Sequence, residues 1–211
     1  MVAVSAHLVR RRGRLPVVHE EAYVSPYAIV AGEVTIGGGT AVLDGAVVVA
    51  ESAPVSIGRE CVIMENAVLR GAGRHPLRLG DRVLVGPHAH LSGAEVGDEC
   101  MVATGAAVFN GAVVGSGSLI AVGAIVHVGT RLPDNSRVPM QHIAVGDPAT
   151  IFPPEQAPEA HRKVTEIGFT DMVFGHSTRD LDFRQSIAWV CRTYSAALRR
   201  SQKADELKGE G

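Results

Sequence analysis

Residues 100–126 read CMVATGAAVFNGAVVGSGSLIAVGAIV. Val102, Val108, Val114, Ile120 and Val126 fall six residues apart. Two places before each stands a small residue: Cys100, Ala106, Ala112, Ser118 and Ala124. Alternate residues of a strand face the same way, so each small residue and the aliphatic two places on point inward together. A turn follows, often at glycine, and the step repeats.

The same two columns extend in both directions. Upstream the aliphatics are Val24, Val30, Ile36, Val42, Val48, Ile57, Ile63, Leu69, Leu79, Val85, Leu91 and Val96; downstream they are Leu132 and Val138. Three such strands close a triangular coil, and coils stack by strand pairing. The pattern predicts an all-β solenoid, a hexapeptide-repeat β-helix filled by a column of aliphatics. Its phase breaks at 49–56 and 70–78, and one step is shortened at 91–96. We place an N-terminal segment at 1–21, the solenoid at 22–150 and a helical extension at 151–211. The Pro-rich stretch IFPPEQAPEAHRKV leaves the repeat. A short helix is expected near 156–170. A longer one is expected at about 179–201, where Phe183, Ile187, Val190, Cys191, Tyr194 and Leu198 recur at helical spacing. Such helices would cover a ragged strand edge or clamp a neighbouring subunit.

Bulk properties exclude several classes. Formal net charge is −2, with 20 basic and 22 acidic residues. This balance gives no footprint for a nucleic-acid partner. Cys61, Cys100 and Cys191 have neither metal spacing nor the look of a disulfide framework. The basic stretch RRRGR at 10–14 is not followed by an apolar run of signal-peptide length, and no run could span a bilayer. A cytoplasmic protein with no membrane contact is expected. No cofactor motif is present: the glycines are turn glycines, not a phosphate loop.

Residues 20–151 resemble the γ-class carbonic anhydrases. The stretches that carry the likeness are EEAYVSPYAIVAGEVTIGGGTAVLDGAVV, PVSIG, VGPHAHLSGAEVGD and VPMQHIAVGDPAT. The resemblance implies left-handed coils, a homotrimer, and zinc held between subunits by three histidines with an Arg, an Asp and a Gln nearby. Here the three ligand positions fall on Arg70, Pro87 and Ser92. The family's Arg-Gly-Asp falls on Val49, Ala50 and Glu51, its Asn-Ile-Gln-Asp on Val62, Ile63, Met64 and Glu65, and a frequent Asn on Asn110. All three zinc ligands are missing, so a degenerate metal site is expected, with neither metal nor cofactor.

The stretch VGPHAHLSG at 85–93 carries two histidines. With Leu91 inward, His90 points outward, about 7 Å along the strand from position 92. His88 lies at the turn. A rebuilt metal site, and with it a carbonic anhydrase, would need both plus His75 or a neighbour's side chain. His127 lies on the same outward column, out of direct reach of Ser92. The outward residues Ile29, Val47, Val49, Val68, Ala107, Phe109 and Ile125 form an apolar stripe, read as a homotrimer interface. An apolar pocket between subunits is expected, lined by Val49, Val62, Met64, Arg70, His88, Ser92 and Phe109. Glu51, Glu65, Asn110 and His90 are its candidate catalytic groups, since desolvation tunes a carboxylate for general acid or base work. The expected function is metal-independent chemistry on a small acyl or carbonyl compound bound at that interface. A structural or assembly protein is the alternative from another class. An acyltransferase of the hexapeptide type is a third reading, weakened by the lack of a long loop inside the solenoid.

Overall fold

The inward columns hold their places. In the computed structural model, which describes residues 6–175 and 180–209, Val102, Val108, Val126, Ile63, Leu69 and Leu91 are wholly buried. So are the small residues before them, among them Ala106, Ala124, Cys61, Ala67 and Ala89. Together with the other inward residues they make one continuous core running the length of the stack. The stack is a left-handed parallel β-helix.

Three sheets of nine, seven and seven strands wall this core. The first runs through Ile29–Ala31, Val47–Ala50, Val68–Gly71, His90–Ser92, Ala107–Val108, Ile125–Val126 and Ile143–Val145. The second runs through Val34–Ile36, Val55–Ile57, Leu77–Leu79, Glu95–Val96, Val113–Val114 and Arg131–Leu132, and the third through Tyr23–Val24, Ala41–Val42, Val62–Ile63, Leu84–Val85, Met101–Val102, Leu119–Ile120 and Arg137–Val138. Pairing is parallel: Met101 sits on Leu84 and beneath Leu119. The stack begins before residue 22. His7–Val9 pairs with Ile29–Ala31, and Val17–Val18 with Thr35 and Ile36. The basic stretch between these strands interrupts the six-residue period and hides them from a periodicity reading.

All phase breaks fall at one corner, where the chain passes from the first sheet to the second. Arg11 and Arg14 close a hairpin there, Ser52–Pro54 bulges in a later coil, and Ala72 and His75 close a second hairpin in the next. These excursions stack on one another. A Cβ at Gly71 would lie 2.1 Å from the Ala53 carbonyl oxygen, so only glycine lets the two loops meet. The shortened step places Gly93 at φ 54, where a Cβ would strike His75 and Asn110.

Outward chemistry differs by face. The second sheet presents Val17, Thr35, Ser56, Arg78, Glu95, Val113 and Arg131, whereas the third presents Tyr23, Ala41, Val62, Leu84, Met101, Leu119 and Arg137. The first sheet's stripe is half-buried, with Ile29 left 44% exposed.

After Thr150–Phe152 turns back antiparallel to Ile143–Val145, the described residues form a 3-10 turn at Pro154–Gln156 and then three α-helices: α1 (Ala157–Ile167), α2 (Phe169–Phe174) and α3 (Phe183–Gly209). Ala160 of α1 packs with Val145 and Phe152 in a second small core. The short helix expected near 156–170 is thus two, split at Gly168, which adopts a left-handed conformation. The long helix outruns the apolar stripe that signalled it; position 179, its expected start, lies outside the described residues. No helix among the described residues is long and apolar enough to cross a membrane.

Val102→Asp places a carboxylate among apolar neighbours without a partner. A loss of about 4 kcal/mol or more is expected, seen as no cooperative thermal transition by circular dichroism. A wild-type melting curve would contradict the inward register.

Candidate active site

The first sheet and its excursion corner form one wall of a cavity of about 440 Å³, and α2 and α3 form the other. Strand geometry sets the solenoid wall. Arg70 pairs in register with Ser92 on the next strand, and both point outward beside Phe109 of the following coil. Glu51 enters from the excursion after Val47–Ala50, and Asn110 from the turn after Phe109. The helices supply Phe169, Phe174, Trp189 and Tyr194.

One polar knot joins the two walls. Arg70 forms an ion pair with Glu51 and donates through Nη2 to the Tyr194 hydroxyl at 2.8 Å; that hydroxyl donates to Glu51 Oε1 at 2.6 Å. The Glu51 side chain is 12% exposed and that of Arg70 29%, so solvent screens the pair only in part. Burial works against the Arg70 charge, yet the hydrogen bond and charge of Glu51, helped by Tyr194, hold its pKa above the ordinary value. Burial, and then the bond to Glu51, push the Tyr194 phenol up. Tyr194 therefore stays protonated at neutral pH and acts as a donor.

His90 is the free base of the cavity. Burial, and secondarily the positive charge of Arg70, hold its imidazole below the usual histidine range. Neither ring nitrogen has a hydrogen-bond partner among the described residues. Its ring lies 6.0 Å from Phe109, the first contact of an aromatic row that runs on to His127, Phe169, Phe174 and Tyr194. Asn110 is buried and bonds the Ala72 carbonyl at 3.4 Å. On α3, the buried Ser201 hydroxyl lines the cavity and has no hydrogen-bond partner among the described residues.

Glu51, Arg70, His90, Ser92, Phe109 and Asn110, singled out from sequence, thus lie together. Val49 stands next in register to Arg70 but is not part of this wall. Val62, Met64 and Glu65 lie on the third sheet and its turn, and His88 is exposed in a turn at φ 56. Within one chain these four are apart from the cavity. His75 donates through Nε2–H to the Met172 carbonyl oxygen at 3.1 Å, tying the corner to α2. The three histidines of the rebuilt-site reading do not converge. Tyr194 and Trp189 were not foreseen as site residues. Helical spacing put Tyr194, but not Trp189, on one apolar face, and nothing in that spacing named what the face meets.

Comparisons with known proteins agree with the fold and the likeness. No protein-family model matches the chain. It is 36% identical to mitochondrial γ carbonic anhydrase 1 of Arabidopsis thaliana over 103 residues, 46% of this chain and 38% of the relative. A carbonic anhydrase of Geobacillus kaustophilus is 29% identical over 99 residues, 47% of this chain and 54% of the relative. The match therefore spans about half or less of these relatives' length. Among solved structures, one from Bacillus cereus described as a candidate acetyltransferase superposes with TM-score 0.61 at 23% identity, covering 76% of this chain and 92% of the other. A hexapeptide transferase family protein from Anaplasma phagocytophilum gives 0.50 at 21%, covering 81% and 98%. These structures speak for the fold alone. The chain is a hexapeptide-repeat β-helix protein that resembles the γ carbonic anhydrases.

A zinc does not fit the residues present. The positions that the resemblance matches to the family's ligands hold Arg70, Pro87 and Ser92: a fixed cation, an aliphatic ring with no metal-binding atom, and a hydroxyl. The guanidinium repels a divalent ion at short range, and Arg70 and Tyr194 already engage the nearest carboxylate, Glu51. Among the described residues no three His, Cys, Asp or Glu side chains are placed to hold a metal.

Tyr194→Phe removes one donor to Glu51 and one acceptor for Arg70. A hydrogen bond to a charged group contributes about 1.5–3 kcal/mol. Amide exchange over 183–201 should therefore accelerate about tenfold or more, with the solenoid's melting temperature unchanged. Equal exchange in wild type and variant would show that the knot does not hold α3.

Proposed function

We propose that this protein is a metal-independent relative of the γ carbonic anhydrases that acts on a small acyl or carbonyl compound in the cavity beneath α3. One observation carries the reading: an unpartnered, half-buried imidazole, His90, shares an aromatic-walled cavity with a guanidinium held where the family has a zinc ligand. His90 supplies a neutral base at neutral pH. Arg70 faces charge that develops on a carbonyl oxygen. Asn110 lines the same cavity, and Phe109, Phe174 and Trp189 exclude water. Glu51 orients Arg70 rather than acting on substrate.

The protein works as a homotrimer in this reading. The largely apolar outward columns of the third sheet and of the exposed part of the first stand against a mostly polar second sheet, and three-fold packing covers them with the same patch of each subunit. Sedimentation at micromolar concentration should give three chains per particle, and a monomer would refute the assembly. The trimer would also bring Glu65 and Met64 of one chain toward another.

p-Nitrophenyl esters from acetate to hexanoate test the chemistry. Hydrolysis should survive dialysis against a chelator. It should fall about 10²-fold or more in His90→Gln while sedimentation stays unchanged. Because the folded His90 titrates below the ordinary value of about 6.5, the rate should be level at neutral pH and fall only below that value. Activity that the variant keeps, or that leaves with the chelator, would overturn the proposal.

A further inference from the structure

The basic stretch at 10–14 has so far served no purpose. Its hairpin closes through Arg11 N–H to Arg14 C=O at 2.9 Å and Arg14 N–H to Arg11 C=O at 3.0 Å. Arg12 and Gly13 both take positive φ, 51 and 75, the two-residue turn that matches strand twist. Arg11, Arg12 and Arg14 line a second cavity of about 280 Å³ against Ala50, Ser52 and Pro54, with Glu33 its only acid. No carboxylate lies within ion-pair distance of these arginines among the described residues. On the same solenoid Arg59, Arg70, Arg78, Arg82 and Arg131 each have one. With a chain net charge of −2, this concentration of unpaired guanidinium is local. The second cavity shares Arg12 and Ser52 with the first.

We infer that the two cavities form one elongated site for a phosphorylated ligand with an apolar tail, its phosphate or pyrophosphate on Arg11, Arg12 and Arg14 and its tail against Phe109 and Phe174. Three guanidiniums offer more donors and charge than the two oxygens of one carboxylate can use. A pyrophosphate matches them in both respects. The shared wall at Arg12 and Ser52 sets the order of the ligand: charged head at the corner, tail under α3. The inference rests on the proposed function for the tail's cavity but not for the head's.

Calorimetry on the full chain at physiological ionic strength separates the two. The probes are inorganic pyrophosphate, sulfate, and the n-alkyl phosphates from butyl to octyl below micelle formation. Pyrophosphate should bind more tightly than sulfate, and affinity should climb about fourfold with each methylene of the alkyl series. Arg11→Gln with Arg12→Gln should weaken every probe about tenfold or more and leave the step per methylene intact. Phe109→Ala should shrink that step and leave pyrophosphate alone. If the arginine variant binds as wild type does, the head site is refuted while the cavity reading stands. If pyrophosphate binding depends on the arginines but no chain-length dependence appears, the single elongated site fails, while the cavity reading is still decided by ester hydrolysis and His90→Gln. Binding to phosphatidylglycerol vesicles without binding to monomeric alkyl phosphates would make the patch a membrane contact and overturn the proposal.

Discussion

Parallel pairing between successive coils is the constraint on which everything else in this protein rests. Each strand must match the one above it residue for residue, as Leu69 matches Val48 and Leu91. A slip of one residue would turn every inward aliphatic out to solvent. Two of every six residues are therefore committed to the core. Chemistry has only the outward positions and the turns to work with. Added length is tolerated only where it bulges away from the stack, and here it bulges at one corner. The solenoid tolerates the excursion after Ala50 because the next coil makes one too, and Gly71 lets them touch. The site is a by-product of that stacking: loops that must lie on one another bring Arg12, Glu51 and Gly73 to one place.

The C-terminal helix joins this scaffold differently. The described residues of α3 include none that is fully buried, so apolar burial alone holds it weakly. The polar knot of Arg70, Glu51 and Tyr194 supplies a directional contact between parts of the chain 124 residues apart. A half-buried ion pair adds little net stability against its desolvation, but removing one partner leaves the other stranded. The knot thus sets where the helix sits more than how stable the protein is. The cavity exists only while the helix is seated.

What the sequence revealed follows the same division. The coil stack was legible because its rule is local: two columns at six-residue spacing, visible in Val102 to Val126 and confirmed at every inward position there. The first two strands were not, because the excursion at 10–14 separates them by more than one step. Arg70, Glu51 and His90 could each be picked out, since outwardness follows from strand parity. That Arg70 and Glu51 bond each other depends on the three-residue lengthening between Ala41 and Val62, which shifts where a turn residue points. Tyr194 was unreadable as a partner: a helical stripe says which residues share a face and nothing about what they meet. Val62, Met64 and Glu65 were grouped with the pocket through the family likeness, and within one chain they belong to another sheet.

In the proposed function Arg70 supplies the positive charge that a metal supplies elsewhere. Zinc and guanidinium both place positive charge beside a substrate, but they differ at rest. A zinc polarises its bound water and so generates the nucleophile itself. A guanidinium cannot lose its proton in this setting, and the bond to Glu51 moves its titration further from neutrality. It can orient and neutralise, never deprotonate. Any base must come from another group, and that group must be uncharged near a fixed cation. His90 meets the condition for the same reason that it is a weak proton acceptor: burial and Arg70 both disfavour its charged form. The Arg70 cation therefore joins burial in selecting the neutral state of the imidazole beside it.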